Sequence, residues 1–331
     1  MRGIKISAQK GRIIILAVFL LVLVLMYLQH KFGLRVIGLI EAGLYSTTLL
    51  TFVAVGECIN EKAGVINIGL EGILTLSAIV GTYGAEVFEN GVAGLLIGML
   101  TGASIGFLLG ILATYGMADQ VIAGLAINLF AIGFGPYLLM ALWHIAGIHV
   151  LSRELMLPRM ATPLGYISPL TVVAIVIAIL AQLFLDKTLY GLRIKVAGEK
   201  PEAVDVAGIR VDRLRIFTST LGGALCGLGG AYLPLCWFGS LVKEVSAGRG
   251  FIALSCVVFG GLEPVLAFLA ATIFGFAEGF GYWISITPGI KEIVPVYFIH
   301  MTPYIITLIV VTSVIGKKRF PKALGRPYIR E

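Results

Sequence analysis

The stretch GLRIKVAGEKPEAVDVAGIRVDRLR (191–215) carries ten charged residues and stands between two long apolar runs. Around it the chain is 58% hydrophobic and 13% charged, with a mean hydropathy of +0.99. Soluble domains carry about 25% charged residues. A soluble core cannot enclose so much apolar surface, so the chain is read as an integral membrane protein interrupted by one charged insert. The 42 glycines fit close helix packing in lipid.

Working outward from the insert, ten apolar runs are candidate spans, a full span needing about 20 residues and fewer where flanks snorkel or protein covers them. They lie near 13–28, 34–55, 65–85, 91–115, 121–143, 170–185, 216–238, 251–262, 264–286 and 296–315. The eighth is short and bounded by glycine, which suggests a broken or re-entrant helix. The junction GECINEKAG (56–64) reads as irregular. The first run follows Arg2, Lys5, Lys10 and Arg12 and resembles a signal peptide. Without a small-residue cleavage site after it, it is expected to be a retained span. With both termini and the 186–215 loop inside, the 25 basic residues divide 18 inside to 7 outside, the asymmetry expected of cytoplasmic loops. The fold expected is an all-α polytopic membrane protein, a single transmembrane domain over 1–331 with both termini cytoplasmic.

The net charge of +7 follows from that loop asymmetry, and no interleaved basic and aromatic surface points to nucleic acid. Cys58, Cys226, Cys236 and Cys256 form no CxxC pair and read as small apolar side chains. In the fourth run Gly94, Gly98, Gly102, Gly106 and Gly110 recur every four residues, so one helix face is bare backbone that another helix can approach. GASIG (102–106) matches GxSxG, but that motif needs a strand–turn–helix elbow, which a lipid-embedded helix lacks. No HExxH and no GxxxxGK[ST] occur, and His144 and His149 lack a carboxylate pair arranged for a metal. No catalytic residue, metal or cofactor is therefore expected.

Polar groups within apolar runs are costly and carry the functional leads. Asn67 and Glu71 stand at i, i+4, on one face if the third span is helical there. Asn128, Glu41 and Glu278 lie in other runs, and Gln182 sits near the end of the sixth. They could line a path or gate for a hydrophilic solute, or hydrogen-bond between helices. AGVINIGL (63–70) and AGRGFIAL (247–254) share AGxxxIxL, a faint repeat placed inside in one copy and outside in the other, as inverted-repeat transporters have it.

Within the insert, Pro201 suits a first helical turn, and Glu202 and Asp205 favour its dipole. Gly208 is placed to end the helix in a left-handed cap. A helix over 201–207 results, with Ala203, Val206 and Ala207 on one face. That face lacks the Trp, Phe or Leu of an interfacial helix and suits a shallow protein groove. Arg193, Lys195, Arg210, Arg213 and Arg215 flank it and are expected to meet the inner headgroups.

GECINEKAGVINIGLEGILTLSA (56–78), GLRIKVAGEKPEAVDVAGI (191–209) and SAGRGFIALSCVVFGGLEPV (246–265) together resemble the permease subunits of ABC importers for simple sugars and nucleosides, within the ribose and branched-chain amino-acid permease group. GLAIN (124–128) and MTPYIITL (301–308) extend the resemblance over about 40–315. GVINIGLEG and GRGFIAL look like the nucleoside branch, with a ribose-like sugar as the alternative solute.

The resemblance implies a multi-pass protein of a prokaryotic cell membrane that works by alternating access. It implies ABC ATPase subunits that hydrolyse ATP below it, a second permease subunit and an extracytoplasmic solute-binding protein. The family's coupling helix maps onto Glu199, Pro201, Glu202 and Ala203 and ends at Gly208, with Asp205 and Val206 inside it. Lys200 and Val204 depart from the family's Asn or His and second Ala, and Val204 is expected to alter the docking face slightly. A stand-alone, ion-coupled transporter using Glu41, Glu71 and Glu278 is the reading from a different class.

Overall fold

The computed structural model describes residues 36–145, 147–162, 165–286, 301 and 320–328. The expected first span (13–28) and, apart from Met301, the expected tenth (296–315) lie outside these residues. The described helices are α1 (Val36–Lys62), α2 (Leu70–Val87), α3 (Gly91–Thr114), α4 (Gln120–Trp143), α5 (Pro169–Lys187), α6 (Leu189–Glu199), α7 (Pro201–Val206), α8 (Val211–Tyr232), α9 (Arg249–Gly260) and α10 (Pro264–Ile286). A π-helical turn (Leu233–Phe238) prolongs α8, with Pro234, which has no N–H to donate, near its start.

Local chemistry sets the helix starts. Asn90 accepts from Val92 N and Ala93 N at the head of α3, and Asp119 from Val121 N and Ile122 N at the head of α4. Ser168 caps α5, with Pro169 in its first turn, and Thr188 caps α6. Each cap takes up donors that a helix start leaves unpaired, which matters more where water is scarce. Among the described residues, six helices are long and apolar enough to cross a membrane: α1, α3, α4, α5, α8 with its π turn, and α10. The chain is thus a polytopic helical membrane protein. At 12 residues α9 is about 18 Å long, short of a bilayer's hydrocarbon. It runs between Gly248 (φ 82°) and Gly261 (φ 60°), both left-handed.

Two expectations need correction. GECINEKAG is not an irregular junction up to Lys62: α1 continues through it, because its charged side chains are buried against protein instead of facing lipid. Nor is the chain wholly helical. β1 (His149–Val150) pairs antiparallel with β4 (Ser240–Leu241), and β2 (Met160–Thr162) pairs with β3 (Gly165–Ile167). The long α4–α5 connection meets its backbone hydrogen-bonding needs with these short ladders.

The packing has an internal symmetry. α3 lies along α8 and α10 along α1, the two most extensive helix contacts; α2 touches α3 and α8, and α9 touches α10 and α1. Exchanging α1 with α8, α2 with α9 and α3 with α10 maps this pattern onto itself. At its centre α1 meets α8 through Gly56 and Gly222, where a Cβ on either would come within 2.9 or 3.0 Å of the other's carbonyl oxygen. Tyr45, Leu49, Leu74, Tyr232, Trp237 and Phe274 form part of the core between the two sets.

The glycine face of α3 does what its spacing implies. A Cβ on Gly102 would stand 2.2 Å from Gly223 O, and one on Gly106 2.2 Å from Ser219 O. Both are backbone obstacles, so only glycine fits. Ser104 of GASIG is mid-helix and donates to Leu100 O, as a helical residue rather than an elbow nucleophile.

Candidate functional site

A cavity of 330 Å³ lies between α2, α4, α9 and the linker before α9. Glu71, Gly72 and Thr75 line one side, Asn128, Ala131 and Ile132 another, and Lys243, Glu244, Ser246, Ala247, Gly248 and Phe251 the rest. Two of the expected polar residues, Glu71 and Asn128, therefore meet in one place, although 57 positions separate them in the sequence.

Their hydrogen bonds explain the shape of the site. Asn128 accepts from Gly72 N (2.8 Å) and donates to Ile68 O (2.9 Å), so α4 satisfies the first turn of α2. Glu71 reaches the other way: its Oε1 accepts from Gly248 N (2.6 Å) and its Oε2 from Gly250 N (2.8 Å). A carboxylate thus caps the positive N-terminal end of the short helix α9. Thr75 Oγ1 and Ser246 Oγ bond at 2.8 Å beside it. A Cβ on Gly250 would come within 2.5 Å of Glu71 N, so the clasp needs glycine there.

The two copies of AGxxxIxL meet at this clasp. Gly64 (φ 92°) and Gly248 (φ 82°), the glycines of their Ala-Gly pairs, both take the left-handed conformation. Glu71 directly follows the first copy and holds the second. The turn within the first copy, just before α2, corrects one expectation. Asn67 is not on a shared helix face with Glu71, since α2 begins only at Leu70. It is buried in the preceding turn, where it accepts from Gly69 N (2.9 Å) and gives its own N–H to Glu57 Oε1 (2.8 Å).

Glu41 and Glu278 lie elsewhere. Glu41 accepts from Tyr166 N (2.5 Å) in a separate recess beside the β2–β3 hairpin. Glu278 accepts from Ser46 Oγ and stands 2.7 Å from Arg249 Nε, a charge contact in which that N–H is not aligned for a hydrogen bond. The Arg249 guanidinium also lies over Trp237 (5.0 Å) and Phe238 (5.2 Å). Both ionic partners are largely buried, so each compensates the other's lost hydration.

A buried polar group at the end of α1 escaped the sequence reading. Glu57 holds Asn67 N and Asn60 Nδ2, and Asn60 Oδ1 accepts from Ser219 Oγ on α8 (2.8 Å). Lys62 pairs with Glu263 at 2.7 Å, and Gln182 of α5 donates to the other oxygen of Glu263. The i, i+4 spacing of Glu57 and Glu61 was the available signal.

The 186–215 insert is two helices, α6 and α7. On α7, Pro201 and Val204 face inward while Glu202, Ala203, Val206 and Ala207 are exposed, Val206 by 90%. Gly208 closes the helix at φ 77°, with Gly208 N donating to Asp205 O and Ile209 N to Val204 O. The Ala203–Val206–Ala207 face therefore points outward. Val204 does not belong to it, a correction: it packs under α7 with Ala197, Val211 and Leu214, so a residue larger than alanine fills the base of α7.

Residues 320–328 bind this unit from below. Ala323 N donates to Gly198 O, Gly325 N to Gly64 O, and Tyr328 Oη to Asp205 Oδ2 (3.2 Å), while Lys322 stands 3.8 Å from Glu199. Arg215 is not at the headgroups. It is 1% exposed and donates to the carbonyls of Ala63 (3.3 Å), Arg326 (2.8 Å) and Ala323 (3.5 Å). Lys195 pairs with Asp186. A buried guanidinium needs acceptors in place of water, and these backbone carbonyls supply them.

Comparison with known proteins gives a consistent group. A family model described as "Branched-chain amino acid transport system / permease component" matches residues 39–311. The chain is 35% identical to the nucleoside ABC transporter permease protein NupC of Lactococcus lactis subsp. cremoris, covering 87% of this chain and 95% of that one. It is 33% identical to the guanosine ABC transporter permease protein NupQ of Bacillus subtilis, over 88% and 96%. A putative glucose ABC transporter permease protein, TsgC13 of Haloferax volcanii, is 28% identical over 73% and 76%. No solved structure matches.

Proposed function

The chain belongs to the family of branched-chain amino acid transport system permease components, and on that premise we propose that it is the membrane permease of an ATP-driven importer of nucleosides. One observation carries the choice of solute: two near-full-length relatives named for a nucleoside and for guanosine, at 35% and 33% identity. A sugar is the second reading, favoured by the relative named for glucose at 28% identity.

The Glu71–Asn128 cavity is the proposed part of the solute path. Its lining converges from helices of both symmetric sets, and Thr75, Asn128, Lys243, Glu244 and Ser246 set in a mainly apolar wall suit the few donors and acceptors and the flat rings of a nucleoside. Asn67 acts behind it, by holding the turn that presents Glu71. Glu41 and Glu278 lie outside this cavity, and the part proposed for them is to brace helices beside the path. Ten spans with inverted-repeat halves and cytoplasmic termini remain the proposed topology, supported by the basic-residue asymmetry and the exchange symmetry of the packing.

ATP is hydrolysed in separate ABC ATPase subunits. Residues 186–215 form the cytoplasmic loop, and α7 is the coupling helix that enters an ATPase groove through Glu202, Ala203 and Val206. Glu199, Pro201, Asp205 and Gly208 set its ends. A second permease subunit, identical or related, and an extracytoplasmic solute-binding protein complete the importer. The ATPase's nucleotide states would bias two arrangements of the spans only by binding α7 differently in each.

The test is uptake by proteoliposomes that hold this chain with its cognate ATPase, permease partner and binding protein. Uptake of labelled guanosine should require internal ATP and exceed that of glucose. Equal preference for glucose would move the solute to the sugars. Ion-driven uptake by this chain alone would replace the importer by a secondary transporter.

A further inference from the structure

Beside α7 a groove of 530 Å³ opens between α6 and the start of α8. Arg193, Arg210 and Arg213 line it, together with Tyr190, over whose ring the Arg193 guanidinium lies at 5.3 Å. Among the described residues only Arg210 of the three has a carboxylate partner, Asp212 at a loose 3.8 Å. Three guanidinium groups thus converge on one concavity with little to neutralise them.

The rest of the lining is apolar. The half-exposed Phe217 and the edge of the largely buried Leu214 form a wall that climbs α8 from the basic rim. From Arg210 to Phe217 this rise is about 10 Å. α8 is one of the helices apolar enough to span a membrane, and it begins at this rim. The cations therefore lie at headgroup level and the wall beside the acyl chains. A free phosphate could use the rim but would have no use for the wall.

We propose that this groove binds an anionic phospholipid, its phosphodiester on Arg193, Arg210 and Arg213 and its acyl chain along Leu214 and Phe217. Arginine suits the task, since its planar fork meets phosphate oxygens in pairs. Gly208 and Ile209 line the same groove and end α7, so the bound lipid braces the base of that helix. The site requires only that the chain sits in a membrane with this loop at the interface, and it stands whatever solute the protein moves.

The test uses the full chain in nanodiscs of mixed phosphatidylglycerol and phosphatidylcholine, with native mass spectrometry reading the retained lipid. Wild type should keep phosphatidylglycerol over phosphatidylcholine by about tenfold beyond the bulk ratio. The R193Q/R213Q variant should fall to the bulk ratio, and R193K/R213K should keep most of the preference. F217S should weaken retention of long-chain phosphatidylglycerol, and inorganic phosphate should not displace it. Should the double glutamine variant fail to fold, R213Q alone carries the measurement, because that side chain is exposed and without an ion pair among the described residues; its preference should drop several-fold. An unchanged preference in the glutamine variants, or displacement of the lipid by inorganic phosphate, would overturn the proposal.

Discussion

The α3–α8 and α1–α10 seams occupy equivalent places in the two symmetric sets, yet they are built differently. In α3–α8 the contact is backbone on backbone: a Cβ on Gly102 would meet Gly223 O and Gly227 Cα, and one on Gly227 would meet Gly98 O at 2.3 Å. α1–α10 also has backbone contacts, Gly279 against Gly43 N and Gly275 against Thr47 N, but side chains fill more of it. Gly275 faces Thr47 and Gly43 faces the Phe276 ring, while Ser46, Glu278 and Arg249 form a polar knot alongside. The first seam can slide only by parting two bare helices. The second holds contacts that can be made and broken one at a time, and its Arg249 belongs to α9, which Glu71 clasps. Equivalent positions in a repeat thus hold a joint fixed by backbone on one side and one of mixed backbone and side chains on the other.

Three substitutions test that contrast and a fourth lies outside both seams, and thermal unfolding of the purified chain measures each. Gly102→Ala should cost most, at least about 3 kcal/mol, since overpacking against backbone on both sides cannot relax by a rotamer change. If this variant melted like wild type, the fixed joint would not exist. Glu278→Gln should cost about 3 kcal/mol, because it strands the buried Arg249 charge. Restoring stability with Arg249→Met in the same chain would show that the loss came from the orphaned charge. Gly43→Ala should cost only about 1 kcal/mol, since its obstacle is a phenyl ring that can shift. A cost equal to that of Gly102→Ala would erase the difference between the seams. Val206→Asp lies in neither seam and is 90% exposed, so stability should stay within about 0.5 kcal/mol. Co-purification with the cognate ATPase should nonetheless be lost; retention would remove α7 from the coupling role.

Part of the site was legible before any fold was known. Glu71 and Asn128 stood out because a polar side chain in an apolar run must be satisfied by something, and they do share a cavity. The glycine face of α3 was readable because four-residue spacing is a local helical property. The outward face of α7 and its Gly208 turn followed from the same kind of local rule. Glu57 and Glu61 went unread because charge was taken to mark the end of a span, whereas protein covers the last two turns of α1. Asn67 was placed one element too late, since spacing cannot tell a turn from the first turn of the helix after it.

By itself the sequence determined that this is a many-helix membrane protein with a charged insert, where one helix would be approached by another, and which short helix would present a small apolar face. Those are statements about period, hydropathy and backbone preference within a few turns of chain. Only the tertiary structure decided that Glu71 clasps residues 177 and 179 positions away, that Glu278 neutralises Arg249, and that Arg215 is buried under residues 323–326 instead of lying at the surface. The physical reason is that a buried ionisable group must find its partner in space. Which partner stands there depends on how distant helices are set against one another, and no local periodicity records that.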